Sequence, residues 1–237
     1  ETHTLCYRPD SSFRIITHNG APSINRFVPS TIRSVDGDIE PWEEFLEYLL
    51  PDAKERVTVE KWLATLIARP GNRIEFGLLL VSEAHGIGKT TLAAKILPPL
   101  VGEHNVSYPD ESQITGEFTD WVAEKRLAIV SEIYAGHSWK VYNKVKSVMT
   151  DETISVNVKY QRPYKVENWV HVIGCSNSSI PLKMEEDDRR WFYPTLTEEQ
   201  WPKNKFDDLH NWLISGGLGI IKSWADEYHD YFNRGDR

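Results

Sequence analysis

The stretch Gly77-Leu-Leu-Leu-Val-Ser-Glu-Ala-His-Gly-Ile-Gly-Lys-Thr-Thr91 decides the fold of this chain. Its first part, Gly77–Ser82, is a nearly uninterrupted apolar run and predicts a strand buried on both faces of a parallel sheet. A short loop with two glycines follows, and then a helix is predicted over Lys89–Leu97, where Pro98 and Pro99 stop it. Glycines let backbone N–H groups curl around oxygen atoms, and a helix N-terminus attracts anions. The stretch therefore predicts a site for phosphate groups.

The individual positions of this stretch have predicted roles. Lys89 would bridge the β- and γ-phosphates of a nucleotide, and the Thr90 hydroxyl would hold Mg²⁺. Glu83 stands where the pattern G-x-x-x-x-G-K-[ST] has its first glycine, and a carboxylate beside a triphosphate is electrostatically unfavourable. An ordinary strand–turn–helix with a surface lysine is the alternative. The predicted nucleotide-binding residues are Glu83, Ala84, His85, Gly86, Ile87, Gly88, Lys89, Thr90 and Thr91.

Two more short apolar runs, Leu127–Ser131 and Val170–Cys175, predict neighbouring strands of the same sheet. Ligands of open α/β sheets lie at the carboxyl ends of the strands. Glu132 follows the first run and would orient the attacking water, and it joins Thr90 in the predicted metal site. Asn177 follows the second run and would contact both the γ-phosphate and that water. A solvated glutamate and a turn-forming asparagine are the alternatives.

Two segments of alternating polarity, Ile154–Lys159 and Tyr164–Asn168, predict a β-hairpin at about 154–168. Cationic, polar and aromatic side chains crowd its predicted tip. Cations attract nucleic-acid phosphates, and a tyrosine ring can stack on a base, so such a tip would grip a strand of any sequence. A basic surface turn without a ligand is the alternative. The predicted nucleic-acid-binding residues are Lys159, Tyr160, Gln161, Arg162 and Lys165.

A charged run, Asp187-Asp-Arg-Arg-Trp-Phe192, comes after the third predicted strand. Arg189 or Arg190 could stabilise transition-state charge on the nucleotide of a neighbouring subunit. A surface ion-pair cluster is the alternative for such a run. The predicted catalytic residues are Lys89, Glu132, Asn177, Arg189 and Arg190.

The flanking segments predict smaller elements around this core. Near the start, Leu5–Arg8 and Phe13–Thr17 predict a hairpin, which is followed by an extended linker through Pro22 and Pro29. Apolar spacing predicts helices over Pro41–Leu50, Val59–Ala68, Lys140–Thr150, Phe206–Ile214 and Leu218–Phe232. The chain is thereby predicted to divide into a hairpin, linker and helical lead-in over 1–75, a core containing the hairpin over 76–196, and C-terminal helices over 197–237.

The overall composition narrows the class of protein. The chain has 237 residues, a net charge of −8, 40% apolar and 26% charged residues, which is an ordinary globular balance. No apolar run approaches the roughly 18 residues of a membrane span, so a membrane partner is not expected. Cys6 and Cys175 lie far apart, which predicts neither a disulfide framework nor a zinc site and favours a reducing compartment. The acidic total argues against a general nucleic-acid-coating protein, although it allows a local basic patch.

The order of these features resembles that of a superfamily 3 helicase of the AAA+ class. The order is a phosphate loop, a strand followed by Glu, a helix, a hairpin, a strand followed by Asn, and an Asp-Arg-Arg run before aromatics. This module is the one found in phage, plasmid and poxvirus-type primase-helicases, and the resemblance covers most of the chain. The matching segments are Asn25-Arg-Phe27, Pro41–Leu46, Lys61–Gly71, Lys146–Lys159 and Asp188–Phe192.

The resemblance implies an α/β fold with a P-loop NTPase (AAA+-like) core, a parallel sheet, a β-hairpin insertion and flanking helices. It implies ATP and Mg²⁺, a homo-hexameric ring, and a hairpin that grips single-stranded DNA or a forked duplex in the channel. Lys89 and Thr90 would bind phosphate and Mg²⁺, Glu132 would be catalytic, Asn177 would be the sensor, and Arg189 or Arg190 would act in trans.

The resemblance also implies a larger context. The chain starts without Met, so we expect it to be a fragment with a primase or polymerase domain linked upstream. We expect a cytoplasmic location, which would be the host cytoplasm if the protein is viral. Glu83 for glycine and Ser131 for an acid depart from the family pattern. Two alternatives to an ATP-driven DNA helicase follow: an ATP-binding ring or loader module with weak hydrolysis, and a monomeric P-loop kinase.

Overall fold

The computed structural model of the chain describes residues 4–131, 139–177 and 188–233. Within these ranges the chain forms both strands and α-helices. Their order is β1 Thr4–Cys6, β2 Ile15–His18, β3 Ala21–Asn25, α1 Glu40–Leu49, α2 Ala53–Ala68, β4 Gly77–Val81, α3 Leu97–Val101, β5 Val106–Ser107, α4 Glu111–Thr115, β6 Leu127–Ser131, α5 Trp139–Thr150, β7 Thr153–Val156, β8 Tyr164–Glu167, β9 His171–Ser176, β10 Trp191–Phe192, α6 Lys203–Trp212 and α7 Leu218–Asp226.

The central sheet has five parallel strands in the order β10-β4-β9-β6-β5. Leu78 of β4 pairs with Ile173 of β9, and Ile129 of β6 pairs with Ile173 from the other side. The three strands predicted from apolar runs are the three inner strands, so the predicted mixed α/β fold with a parallel sheet is confirmed. Sequence reasoning misses the edge strands β5 and β10, because two residues carry no readable periodicity.

Alternating residues of the inner strands enter two hydrophobic clusters on opposite faces of the sheet. In β4, Leu78 and Leu80 enter the cluster to which α1, α2 and α7 contribute, whereas Leu79 and Val81 enter the cluster to which α5 contributes. Each fully buried leucine contributes roughly 1.5–3 kcal/mol to folding. The first cluster draws on all three predicted segments of the chain, whose boundaries remain a prediction; its members include Trp42, Ile96 and Ile221.

The N-terminal strands pair differently from the prediction. β2 and β3 form the hairpin, joined by Asn19 and Gly20, and β1 lies parallel to β3. Asn19 and Gly20 have φ angles of 50° and 75°, the left-handed conformations that a two-residue hairpin turn needs. The predicted hairpin between 5–8 and 13–17 is therefore wrong, and the first part of the predicted linker is strand β3.

Most of the predicted helices are present with shifted ends. α2 begins at Ala53 rather than at Val59, because the Asp52 carboxylate accepts from two backbone N–H groups of the first turn and caps the helix. α7 ends at Asp226 rather than at Phe232. In the described ranges, no helix has both the length and the apolar character needed to cross a membrane.

The helix after the predicted phosphate loop continues through the two prolines that were expected to stop it. It is a π-helix over Thr91–Ile96, which passes directly into α3. The N–H of Leu97 donates to the carbonyl of Leu92, and Pro98 and Pro99 then fall in the first turn of α3, where no N–H donor is needed. The prediction of a stop at these prolines is wrong.

Candidate functional site

Residues 82–90 connect β4 to the π-helix at the carboxyl end of a central strand, and we call them the glycine loop. Gly86 and Gly88 have φ angles of 75° and 105°, which residues with a side chain rarely adopt. A Cβ at Gly88 would lie 2.7 Å from Cε2 of Phe45, whereas a Cβ at Gly86 would meet nothing within 4 Å. Position 88 therefore requires glycine for both its backbone and its space, and position 86 for its backbone alone.

Glu83 occupies the first glycine position of the motif without backbone strain. Among the described residues other than glycine, a positive φ occurs at Asn19, Glu124 and Tyr160, so residue 83 is outside the left-handed region. Its side chain is exposed. Residue 83 therefore has a backbone conformation that is open to residues with a side chain.

Lys89 is hydrogen-bonded to backbone carbonyls of the glycine loop. Its side chain is only 7% exposed, and its Nζ donates to the backbone carbonyls of Ser82 at 3.1 Å and Ala84 at 3.2 Å. Burial lowers the pKa of this ammonium, and Cys175 and Glu198 act in the opposite direction. The loop thus places a partly desolvated cation at the start of a helix, an arrangement that attracts a polyanion.

A cavity of about 930 Å³ opens beside the glycine loop. One wall is the second half of that loop with Lys95, and Asn177 from the end of β9 joins it. The other wall comes from α6, α7 and the π-helical turn between them, and it is largely apolar. The lining residues are His85, Gly86, Ile87, Gly88, Lys89, Thr90, Thr91, Lys95, Asn177, Phe206, Asp207, Leu209, His210, Leu213, Ile214 and Leu218.

The C-terminal wall of this cavity has no counterpart in the sequence-based prediction. The apolar spacing predicts helices there, but it cannot say which of their side chains face the glycine loop. Ile214 indicates this wall in the structure, because it is an apolar residue that is 72% exposed and lines the cavity. Large apolar side chains that are left exposed beside a polar site are suited to the flat face of an organic ligand.

The structure brings together some of the predicted site residues. Lys89, Thr90 and Asn177 line one cavity, whereas Glu83 and Ala84 do not line it. Glu132 lies outside the described residues, so its predicted catalytic and metal-binding roles stay predictions. Ser131, the last residue of β6, is exposed.

The two candidate arginines lie away from the cavity of their own chain. Arg190 donates to Asp188 Oδ1 at 3.0 Å, which is the ion pair of the alternative interpretation. Arg189 is exposed and lines a different cavity, of about 490 Å³, together with Lys61 and Trp191. Neither arginine is among the residues that line the Lys89 cavity, so a role at that site would require a second subunit.

The predicted β-hairpin is present, with β7 and β8 paired antiparallel from Thr153 opposite Glu167 to Val156 opposite Tyr164. We call residues 159–165 the basic tip. All of its side chains are exposed, and its sequence Lys-Tyr-Gln-Arg-Pro-Tyr-Lys contains three cations and no carboxylate. The tip therefore presents a positive surface on a chain whose net charge is −8.

Tyr160 stands out within the basic tip. Its side chain is 93% exposed, and its backbone φ is 66°, an uncommon conformation for an aromatic residue. The Lys159 ammonium lies 5.0 Å from the centre of its ring. A ring displayed in this way can stack on a nucleobase while the neighbouring cation meets a phosphate.

The base of the hairpin, in contrast, is fixed to the core. Thr119 Oγ1 donates to the carbonyl of Ser155 at 2.8 Å and accepts from the N–H of Asn157 at 2.9 Å. On the other strand, Asn168 Nδ2 donates to the carbonyl of Val148 at 2.6 Å. Hydrogen bonds therefore attach both strands of the hairpin to the core at its base.

Comparisons with known proteins find one family model, one phage relative and several solved structures to which this chain is similar. A family of unknown function (DUF5906) matches residues 80–190, a range that includes the whole glycine loop, the hairpin and both candidate arginines. The DNA primase-polymerase of Nitratiruptor phage NrS-1 is 26% identical over 194 residues, which are 77% of this chain and 26% of that protein. The chain thus spans about a quarter of the length of this relative.

Solved structures of the NrS-1 C-terminal region, in the apo form, share the fold. One has a TM-score of 0.80 at 22% identity and covers 96% of this chain and 56% of its own. A second has a TM-score of 0.80 at 23% identity and covers 97% and 56%. The mixed α/β architecture with five parallel strands is therefore common to this chain and the NrS-1 C-terminal region.

Proposed function

We propose that the chain is the ATP-hydrolysing motor of a phage-type replication protein, a helicase module of the superfamily 3 kind that moves along single-stranded DNA. The observation that carries this proposal is the cavity that joins the buried Lys89, the left-handed glycines 86 and 88, and Asn177 to an apolar wall. A nucleotide has the same division, with an anionic phosphate chain at one end and a flat base at the other.

The residues that are present fit ATP and Mg²⁺. The second half of the glycine loop and Lys89 would hold the phosphates, and Phe206, Leu213 and Ile214 would cover the base. A cavity of about 930 Å³ lies in the range of small-molecule sites. The exposed Thr90 hydroxyl, with Glu132, would hold Mg²⁺, which neutralises phosphate charge when it is bound.

The remaining predicted residues divide the catalytic work. Glu132 would orient the attacking water, and Asn177 would contact both that water and the terminal phosphate. Arg189 or Arg190 would reach the nucleotide of a neighbouring subunit. Arg189 is exposed and does not line the Lys89 cavity of its own chain, which supports a role toward the neighbouring subunit of a homo-hexameric ring. Loss of the terminal phosphate would relax these contacts and shift the hairpin.

The basic tip supports DNA as the track. Its three cations and Tyr160 provide sequence-independent grip on single-stranded DNA or at a forked duplex. The similarity to a phage DNA primase-polymerase supports a role in replication, with a priming or polymerase domain linked upstream.

The experiment that tests this function measures ATP turnover with and without single-stranded DNA. We expect turnover that DNA stimulates and that Lys89→Ala abolishes, while Lys95→Ala, which removes a second cation from the same cavity, retains it. Unchanged turnover in Lys89→Ala would refute the assignment. Native mass measurement with ATP and DNA is expected to give six copies of the chain.

A second candidate is an ATP-binding ring or loader module that hydrolyses weakly. The exposed Ser131 at the end of β6, where the family commonly has an acid, favours it. Tight ATP binding without turnover in the presence of single-stranded DNA would select this candidate over the motor.

A further inference from the structure

The first half of the glycine loop is held by a side chain from another part of the chain. Glu198 Oε2 accepts from the N–H of Ala84 at 2.8 Å and from Ser82 Oγ at 3.0 Å, and Oε1 accepts from the N–H of Glu83 at 3.3 Å. Nearby, Gln200 Nε2 donates to the carbonyl of His85 at 3.1 Å. The segment after β10 thus contacts residues 82–85 through several side-chain hydrogen bonds.

The segment that carries Glu198 is itself fixed to α1. Tyr48 Oη donates to the carbonyl of Glu199 at 2.8 Å and accepts from the N–H of Trp201 at 2.8 Å. The rings of Tyr48 and Trp201 are stacked, with centroids 4.8 Å apart and an angle of 11° between planes. The N–H of Thr197 donates to the carbonyl of Leu49 at 3.1 Å. Glu198 is therefore presented from a rigid support.

Glu198 does not occupy the place of a ligand. Of the described residues, those that line the cavity begin at His85 on the glycine loop, and neither residues 82–84 nor Glu198 are among them. The carboxylate therefore binds the loop outside the cavity. Glu198 accepts hydrogen bonds from the amides of residues 83 and 84, while Lys89 donates hydrogen bonds to the carbonyls of residues 82 and 84.

These opposed contacts give the loop its shape without a glycine at position 83. We propose that Glu198 is a positioning residue, which holds residues 82–84 so that Lys89 and the amides of 85–90 face the phosphates of a bound nucleotide. This role rests on the proposed function of the glycine loop. Without the carboxylate, the amides of Glu83 and Ala84 lose their acceptor, and Lys89 loses its fixed carbonyl partners.

The experiment measures ATP affinity in four chains: the unaltered chain, Glu198→Ala, Glu198→Gln and Glu199→Ala. Glu199 is the matched control, because it is the neighbouring exposed carboxylate and contacts Tyr48 through its backbone only. We expect Glu198→Ala to weaken ATP binding about tenfold. Glu198→Gln should lie between, since its amide oxygen can accept from Ala84 and Ser82 while its NH₂ group faces the Glu83 N–H.

Hydrogen exchange supplies a readout that general destabilisation would not reproduce. In Glu198→Ala, exchange should accelerate at the amides of Glu83 and Ala84 and stay unchanged in the strands β6 and β9. In turnover assays the loss should appear mainly in KM, because Glu198 contacts neither the nucleotide nor the water.

The outcomes separate this role from the proposed function. ATP binding by Glu198→Ala that equals or exceeds that of the unaltered chain would overturn the role, because the carboxylate would then only repel phosphate. Equal weakening by Glu199→Ala would also overturn it. Failure of the unaltered chain to bind ATP would overturn the proposed function and this role together.

Discussion

The glycine loop and the basic tip of the hairpin are built in opposite ways. Both contain left-handed residues, but the loop uses Gly86 and Gly88, whereas the tip uses Tyr160. Lys89 and Glu198 fix the loop from two sides. The side chains of the tip are exposed, and hydrogen bonds attach the base of its hairpin to the core. The glycine loop is a preformed cavity wall, whereas the basic tip is an exposed surface with cationic and aromatic side chains.

The two regions should therefore differ in how their contacts contribute to binding free energy. A preformed loop loses little conformational freedom when a ligand arrives, so its contacts convert efficiently into affinity. An exposed tip has to order long side chains on binding and depends on charge that salt screens. Substitutions in the loop should therefore act through shape, and substitutions in the tip through charge and stacking.

The largest effect is expected from a change of shape in the loop. Gly88→Ala places a Cβ at φ 105° and 2.7 Å from Phe45 Cε2, which together cost about 3 kcal/mol or more. ATP affinity should fall more than about a hundredfold, as measured by calorimetric titration. Gly86→Ala is the matched control, because its Cβ meets nothing and only the backbone conformation is strained. Equal losses in both variants would contradict the claim that packing against Phe45 shapes the loop.

The next largest effect is expected from removing charge at the tip. The triple variant Lys159→Ala, Arg162→Ala, Lys165→Ala should weaken single-stranded DNA binding on the order of a hundredfold at low salt. The dependence of log K on log salt should become shallower by about 2, since each lost phosphate contact removes about 0.7. Fluorescence anisotropy at several salt concentrations measures both quantities.

A matched control for the tip removes three exposed cations elsewhere, with Arg33→Ala, Lys54→Ala and Lys203→Ala. This variant has the same net charge, so it should keep the salt dependence of the unaltered chain. ATP affinity should be unchanged in both triple variants. A loss of ATP binding without a loss of DNA binding would contradict the claim that the loop binds ATP and the tip binds DNA.

A third prediction concerns the sheet beneath the loop. His171 is buried at the start of β9; its Nε2 accepts from the N–H of Ile74 at 3.1 Å, and its Nδ1–H donates to the carbonyl of Arg126 at 3.0 Å. Burial, with the charges of Arg126 and Arg73, lowers the pKa of His171 to about 3. The unfolded chain therefore binds a proton that the folded chain excludes below about pH 6.5.

The free energy of unfolding should therefore fall as the pH falls, by about 2 kcal/mol between pH 7 and pH 5. Urea unfolding at these two values measures this change. His171→Gln should be less stable at pH 7 but should lose most of the slope, whereas His104→Gln, at an exposed position, should retain it. A slope that persists in His171→Gln would assign it to other groups.

The smallest effect is expected from the single aromatic ring at the tip. Tyr160→Ala should weaken single-stranded DNA binding about tenfold, because stacking on a base contributes roughly 1–3 kcal/mol. Tyr160→Phe keeps the ring and should bind within about twofold of the unaltered chain. Unlike the charge variant, Tyr160→Ala should leave the salt dependence unchanged. A loss in Tyr160→Phe equal to that in Tyr160→Ala would assign the role to the hydroxyl instead.

Local patterns in the sequence predicted local structure well. The inner strands are continuous apolar runs, and the hairpin alternates, so both could be recognised from their own residues. Apolar spacing alone places the start of α2 too late, whereas Asp52, as the capping residue, marks its observed start at Ala53. The N-terminal pairing was missed because the parallel contact of β1 with β3 joins segments that no local pattern connects.

The site was predicted only in its local part. Lys89, Thr90 and Asn177 line one cavity, because strand ends of one parallel sheet meet at the same edge, and their roles toward a nucleotide stay predictions. The apolar wall from α6 and α7 depends on tertiary packing, and so does the contact of Glu198 with Ala84 across 114 residues. The alternative offered for Arg190, an ion pair with an aspartate, is present in the structure.

The central claim, that the glycine loop binds a polyphosphate, can be tested most directly at the backbone amides themselves. Amide proton–nitrogen NMR spectra of the chain, titrated with ATP and Mg²⁺, report on each N–H separately. We predict large shifts at Gly86, Gly88, Lys89 and Thr90, and small ones across residues 159–165. Shifts that avoid residues 85–90 while ATP binds elsewhere, or no shifts at millimolar ATP, would contradict the account.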